Sequence, residues 1–322
     1  MTLPAHADVL AAAARIAPHA HVTPVLRSRS LDAIAGCELH FKAEPLQRAG
    51  SFKFRGACNA VWSLPDEDAA RGVVTHSSGN HGSALALAAR TRGIACHVVV
   101  PEGAVAAKLH AIAAYGATLH RCAPSIAARE ETAARVQRET GATFVHPYTD
   151  PRVISGQGTV ALELLNAAGG LDVLVAPVGG GGLASGCALA MAALAPGAEL
   201  LLAEPTGAAD TARSLAAGRR DVDFIPDTIC DGLRGTLGEP GFELLRAYGA
   251  GVAVLDDAAT LAALRLLWTR LKLLVEPSSA IAFAAVLQQC ERLAGKRVGV
   301  VLSGGNVDLQ ATSQWFGADE PR

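Results

Sequence analysis

The sequence predicts an α/β fold built on mostly parallel sheet, with helices on both faces. Three observations predict it. Short β-branched runs alternate with longer alanine- and leucine-rich stretches, the signature of strand–helix units. Runs such as Val298-Gly299-Val300-Val301-Leu302 are apolar throughout, which suits strands covered on both faces. An apolar run, a glycine-rich loop and a helical stretch recur in that order three times. The loops are Ser77-Ser78-Gly79-Asn80-His81-Gly82, Gly179-Gly180-Gly181-Gly182 and Ser303-Gly304-Gly305-Asn306. Ligands of open parallel sheets bind beyond the carboxyl ends of strands, so three such loops can converge on one cleft.

The elements follow in order. Ala5–Ile16 is alanine-rich but interrupted by Asp8 and Arg15, with no basic segment before it; it reads as a helix, not a signal peptide. Leu39–Lys42 is the first strand expected. Val73–Thr75 leads into the helix His81–Arg92, and His97–Val100 into Lys108–Tyr115. The helix Ile126–Glu139 precedes a strand Phe144–His146, and the helix Val153–Asn166 follows it. Val173–Pro177 runs through the four glycines into Leu183–Leu194. Leu200–Glu204 and Val252–Leu255 read as strands, Thr260–Leu273 and Ser278–Leu293 as helices, and Val298–Leu302 as the last strand. No solenoid period, low-complexity tract or compositional linker interrupts the series.

Composition excludes several function classes. Half of the 322 residues are hydrophobic and 18% are charged, enough for a sizeable core. A net charge of −2 offers no basic footprint for nucleic acid. The uncharged stretch from Val173 to Ala198 is broken by Pro177 and the glycines, and the helical remainder is too short to span a bilayer. Seven cysteines, an odd number with no C-x-x-C pair, argue against a disulfide framework or zinc site and for buried thiols in a reducing compartment. The expectation is a soluble, cytoplasmic protein that binds neither membrane nor nucleic acid.

Lys53 is one of only five lysines, and it stands between Phe52 and Phe54 in Gly50-Ser51-Phe52-Lys53-Phe54-Arg55-Gly56. Apolar neighbours strip water from an amine, and desolvation lowers an ammonium pKa. Such a lysine is a neutral nucleophile able to form a Schiff base with a carbonyl. A surface lysine on a strand, its neighbours alternating inward, fits the segment equally well. The tetraglycine offers backbone N–H groups and a helix start, a phosphate cup without a lysine. It lacks the Gly-Lys-Ser/Thr of a Walker loop, and no G-x-G-x-x-G is present; a bare strand-to-helix turn is the other reading. Ser77 and Asn80 suit either N-caps or carboxylate ligands, and Ser303–Asn306 suits a capped turn or a ligand loop. Glu204, the Ala208 carbonyl and Asp210 could hold a hard cation, or merely cap a loop and a helix.

Taken together, these segments resemble the fold-type-II pyridoxal-phosphate enzymes, in the branch of serine/threonine dehydratases and serine racemases. Ser-Phe-Lys-Phe-Arg-Gly, Ser-Ser-Gly-Asn-His-Gly, Pro-Val-Gly-Gly-Gly-Gly and Ser-Gly-Gly-Asn-Val-Asp occur in the family's order, and the likeness runs from about Thr23 to Asp308. It implies a tryptophan synthase β-like fold of two open, twisted, mostly parallel sheets. A large cofactor domain (1–71 and 150–322) would carry an inserted smaller, mobile domain (72–149). It implies that Lys53 holds pyridoxal 5′-phosphate, that Gly179, Gly180, Gly181 and Gly182 cup its phosphate, and that Phe52 packs beside its ring. Asn80 would touch its phenolic oxygen and Ser303 its pyridine nitrogen. Ser77, Asn80 and His81, assisted by Arg129, would grip the substrate carboxylate. Ser78 would face Lys53 from the opposite side of the substrate, and Glu204, Ala208 and Asp210 would bind Mg²⁺ or Ca²⁺.

The implied activity is α,β-elimination of a 3-hydroxy amino acid to a 2-oxo acid and ammonia. Lys53 would remove the α-proton. A hydroxyl at Ser303, in place of a carboxylate, leaves the pyridine nitrogen unprotonated and disfavours long-lived carbanions. Ser78 keeps amino-acid racemisation open, and β-replacement is a further alternative; a non-enzymatic metabolite-binding protein is the reading from another class. The family also implies a homodimer. Two departures from the family pattern, Arg48-Ala49 before Gly50 and Ser83 after Gly82, lie beside the expected site.

Overall fold

The computed structural model describes residues 2–312 and Trp315. Among the described residues, ten strands form two sheets: β1 Val25–Leu26, β2 Glu38–Ala43, β3 Val73–His76, β4 Cys96–Pro101, β5 Thr118–Cys122, β6 Thr143–Phe144, β7 Val173–Pro177, β8 Glu199–Pro205, β9 Gly251–Leu255 and β10 Arg297–Leu302. The larger sheet has the order β1-β2-β10-β7-β8-β9 and the smaller β5-β4-β3-β6. Apart from the antiparallel edge pair β1/β2, every pairing is parallel, the mostly parallel α/β architecture expected from the strand–helix alternation.

Period-two geometry explains the continuous apolar runs. Val175, Leu201 and Val300 face a core that includes Phe41, Ala280 and Phe283. Their neighbours Leu174, Leu202 and Val301 face an opposite core that includes Leu164, Ala184 and Met191. Helix Pro277–Gln288 therefore covers one face, and helices Pro151–Ala168 and Gly182–Leu194 the other. The smaller sheet repeats the scheme. Val73, Val98 and Val100 meet helix Asn80–Arg92 and also Phe54, Ala57 and Val61. Val74 and Val99 face helix Ile126–Thr140 on the other side.

Some elements differ from the expectation. The strand expected at Phe144–His146 pairs only at Thr143–Phe144, because His146 Nδ1 turns back to accept the N–H groups of Tyr148 and Thr149 at 3.3 and 3.1 Å. The edge strand Thr118–Cys122 carries His120 and Arg121 among mostly part-exposed positions, so no apolar run announces it. Lys53 opens a helix, Lys53–Trp62, and does not lie on a strand. Phe54, one residue further round that helix, is fully buried in the smaller sheet's core, with the Arg48 guanidinium 4.9 Å from its ring centre. Of the two aromatic neighbours in sequence, Phe54 thus does not flank the Lys53 amine.

Among the described residues, no helix is long and apolar enough to cross a membrane.

Candidate active site

The three glycine-rich loops leave the carboxyl ends of β3, β7 and β10. The Lys53 loop is stitched to the last of them. Ser51 pairs with Gly304 in an isolated antiparallel bridge, Phe52 N–H donates to Ser303 O at 3.0 Å, and Gly305 N–H to Gly50 O at 3.0 Å. Lys53 Nζ donates to Pro147 O at 3.0 Å and lies 5.1 Å from the centre of the Phe52 ring. Desolvation brings its pKa down to about 8, against the pull of the Glu276 carboxylate. An appreciable neutral fraction therefore exists near neutral pH.

Two residues beyond Lys53, Arg55 anchors the helix from within. Its guanidinium is fully buried. It binds Glu44 through Nε and Nη2, both at 2.8 Å, and Glu163 through Nη1 and Nη2 at 2.6 and 2.8 Å. Lys42, also buried, donates to Glu163 and to Thr23 O, each at 2.6 Å. Burial alone would raise the Glu163 pKa, but the bonds from Arg55 and Lys42 together hold it below the usual carboxylate value.

The loop after β3 starts helix Asn80–Arg92 at Gly79 with no side-chain cap. Ser77 Oγ accepts the Gly79 N–H at 3.4 Å, so neither Ser77 nor Asn80 caps the helix. Its first-turn N–H groups are therefore left without a side-chain cap, an arrangement able to hold a carboxylate. Gly82 has no alternative here, since a Cβ would fall 2.3 Å from Ser77 O. His81 is buried, with Nε2 3.4 Å from Val145 O and Nδ1 unpartnered. Burial, then the Lys53 charge, holds its pKa well below normal, so it is a neutral ring. Asn80 reaches across to the larger sheet: Nδ2 donates to Glu276 Oε1 at 2.9 Å, and Oδ1 accepts from Asn306 Nδ2 at 2.9 Å. Ser78 lies part-exposed in the same loop.

Gly179–Gly182 form a cradle that side chains would fill. A Cβ on Gly180 would meet the Tyr148 ring at 2.4 Å, and one on Gly179 the Leu233 backbone at 2.8 Å. Gly181 has φ +89°, open to glycine and few others. One turn into the helix, Ser185 Oγ is buried without a partner. Backbone donors at a helix start beside an unpartnered hydroxyl fit a phosphate. Ser303 is buried, its hydroxyl 3.5 Å from Ser278 O. Together with Lys53, these residues fit pyridoxal phosphate.

Arg129, on helix Ile126–Thr140, has a buried Nε without a partner; its charge helps, after burial, to lower the His76 pKa. His76 and His146 stand edge to face at 5.4 Å, and His146 and Tyr148 at 4.6 Å. Burial, His76 and Lys53 press the His146 pKa to about 4. His146, Tyr148, Glu276 and Asn306 were not singled out from the sequence. Asn306 carried a signal as the last residue of the Ser303-Gly304-Gly305-Asn306 loop, and Glu276 as the one carboxylate in the segment Leu273–Phe283.

Glu204 and Asp210 lie apart from this cluster, at the end of β8 and the start of helix Asp210–Ala217. Glu204 accepts the Thr211 and Ala212 N–H groups at 2.8 and 2.9 Å. Asp210 Oδ2 accepts Leu237 N–H at 2.7 Å, while Oδ1 is buried and unpartnered. Burial raises both acids, Glu204 to about 7 and Asp210 to about 6. No group of three or more His, Cys, Asp or Glu side chains is arranged for a metal among the described residues. A cation here would therefore take two carboxylates, the Ala208 carbonyl and water, a hard-ion donor set.

The family model for pyridoxal-phosphate dependent enzymes matches residues 16–304. The chain is 48% identical over 309 residues to a beta-hydroxyaspartate dehydratase of Paracoccus denitrificans, covering 96% of this chain and 98% of the relative. It is 44% identical to a serine racemase of Dictyostelium discoideum, covering 95% and 96%. Among solved structures, maize serine racemase superposes with a TM-score of 0.93 at 44% identity, covering 97% of each chain.

Proposed function

The chain belongs to the fold-type-II pyridoxal-phosphate enzymes, in the family of serine/threonine dehydratases and serine racemases, and on that premise we propose that it is a dehydratase of 3-hydroxy amino acids with a preference for 3-hydroxyaspartate. What supports the reading is a desolvated Lys53 amine together with an uncapped helix start at Asn80 and an Arg129 Nε buried without a partner. The uncapped start of helix Asn80–Arg92 takes the substrate α-carboxylate. That leaves the unpartnered Arg129 Nε for a second carboxylate. The similar Paracoccus protein bears the name of a beta-hydroxyaspartate dehydratase, which favours the same substrate class.

Bound pyridoxal phosphate supplies the electron sink for an amino-acid carbanion. In this reading the glycines at 179–182 and Ser185 hold its phosphate, Phe52 packs on its ring, Asn80 donates to its phenolic oxygen and Ser303 meets its pyridine nitrogen. Lys53, with a pKa of about 8, takes the substrate α-proton as a neutral amine. His81, kept neutral, orients the α-carboxylate without adding charge. Residues 72–149 act as the smaller mobile domain. The Asn80–Glu276 and Lys108–Asp231 contacts join this segment to the rest of the chain.

A panel of serine, threonine and 3-hydroxyaspartate, as separate enantiomers, tests the reading. Hydroxyaspartate is expected to show the highest kcat/KM, and Arg129→Ala to lower it by about two orders of magnitude, as lost charge-assisted binding does. Serine remains equally good in the variant. A wild-type preference for serine or threonine would overturn the substrate assignment.

Ser78 favours a second activity. A hydroxyl facing Lys53 across the substrate returns a proton to the other face and inverts the α-carbon. Ser78→Ala is expected to abolish exchange of enantiomers, followed by chiral chromatography, while 2-oxo acid formation continues.

Glu204, Ala208 and Asp210 form the proposed Mg²⁺ or Ca²⁺ site. Both carboxyls have raised pKa values, so their contribution to stability is present below the ordinary carboxylate range. It is lost as pH rises through about 6 and 7. Cation binding needs both ionised. The metal-free protein is thus expected to lose Tm between about pH 5 and pH 8 through these groups, and added Mg²⁺ or Ca²⁺ to restore it only at the upper end. The same loss with cation present would remove the site.

A further inference from the structure

Glu276 has a position that none of the roles above explains. It is the N-cap residue of helix Pro277–Gln288 but makes no side-chain cap, and it is only 4% exposed. Its backbone N–H donates to Gly304 O at 3.0 Å. Its Oε1 accepts from Asn80 Nδ2 at 2.9 Å. At the other end of the same amide, Asn306 Nδ2 donates to Asn80 Oδ1 at 2.9 Å, and it also donates to Ala49 O at 2.8 Å. Glycines make room for the carboxyl: a Cβ on Gly304 would lie 2.9 Å from Oε1.

A side-chain amide has one accepting oxygen and a two-hydrogen donor. Turned over, the Asn80 amide would set its oxygen against the Glu276 carboxylate and its NH₂ against the NH₂ of Asn306. The Asn306 contact repels, and the Glu276 contact repels while its carboxyl is ionised, so the two neighbours together favour one orientation. In that orientation one Nδ2 hydrogen bonds Glu276 and the other is uncommitted. A buried carboxylate without a cation in direct contact is costly, and well-packed apolar groups usually replace such groups without loss. Burial and nearby Asp231 push this one up to about 7, so the fold carries a penalty that packing alone does not require.

We propose that Glu276 is a positioning residue: with Asn306 it locks the Asn80 amide so that its single free N–H serves the phenolic oxygen of the cofactor. The inference rests on the role given to Asn80 above. The lock also joins the smaller sheet's β3 loop to the larger sheet, so the donor is in place only while the two sheets' loops meet.

The test uses holoenzyme and two readouts that need no turnover: the absorption maximum of the bound cofactor, and its retention through dialysis. Glu276→Leu roughly keeps the volume and removes the acceptor that Asn80 Nδ2 meets; Asn306→Ala removes the other neighbour. Each is expected to move the band in the direction seen for Asn80→Ala and to weaken retention roughly tenfold, about 1.4 kcal/mol. The Glu276→Leu/Asn80→Ala double variant is expected to be no worse than Asn80→Ala alone, because both act through one amide. An additive double variant overturns the proposal. So does a Glu276→Leu holoenzyme whose band is unmoved while that of Asn80→Ala shifts, even if its Tm falls. Should Glu276→Leu not fold, the Asn306→Ala/Asn80→Ala pair decides on the same criteria. An unshifted band in Asn80→Ala itself refutes the role of Asn80, a different failure from that of the lock.

Discussion

Lys53→Ala is expected to yield a folded protein that does not retain the yellow colour of lysine-bound pyridoxal and whose elimination rate falls by at least about a thousandfold. The variant loses both the covalent attachment and the base, and a positioned acid–base group alone is worth roughly 10²–10⁴. Folding should survive, because the amine contributes one hydrogen bond, to Pro147 O, and the Glu276 carboxylate that attracts it keeps its own bond from Asn80. Absorption spectra and single-turnover rates of the purified variant check this. Lys53→Arg is expected to fail as well: a guanidinium stays protonated and cannot act as a neutral nucleophile. Retained colour in Lys53→Ala after reconstitution and dialysis would place the covalent link elsewhere.

Arg55→Met is expected to destabilise the protein by roughly 3–5 kcal/mol, the usual cost of removing one partner from a buried ionic network. The variant leaves the fully buried Glu44 carboxylate with the Thr23 hydroxyl as its remaining side-chain partner, and Glu163 with Lys42 alone. Denaturant unfolding measures the loss. The sign of its pH dependence follows from the same contacts. Without the guanidinium the Glu163 carboxyl loses most of what holds its pKa down and takes up a proton more readily in the folded state, so the deficit should be smaller at about pH 5 than at about pH 8. A deficit below about 1 kcal/mol, typical of an exposed pair, would mean that the network is not what fixes the Lys53 helix.

Much of this was legible along the chain. The strand–glycine–helix series led to a parallel α/β fold, and the order of four motifs to the enzyme family. Val173–Pro177 is a strand from end to end as expected, because a central strand covered on both faces has to be apolar throughout. Less legible were elements whose stability comes from their neighbours. Thr118–Cys122 looks polar because it is an edge strand. Lys53–Trp62 has Arg55, Gly56 and Asn59 buried inside it, and no helical pattern anticipates buried polar groups whose partners are 11 to 108 residues away.

The site divides along the same line. Local sequence determined which residues could bear the chemistry: a scarce lysine beside an aromatic ring, four consecutive glycines, a serine-rich helix start. Only the tertiary structure decided the state of those groups. Whether the Lys53 amine is desolvated, whether the helix at Asn80 is left uncapped, and whether Glu276 meets Asn80 across 196 positions depend on which loops the two sheets bring together. A pKa or a hydrogen bond is set by distance and burial, and those are properties of packing that residue order specifies only through the completed fold.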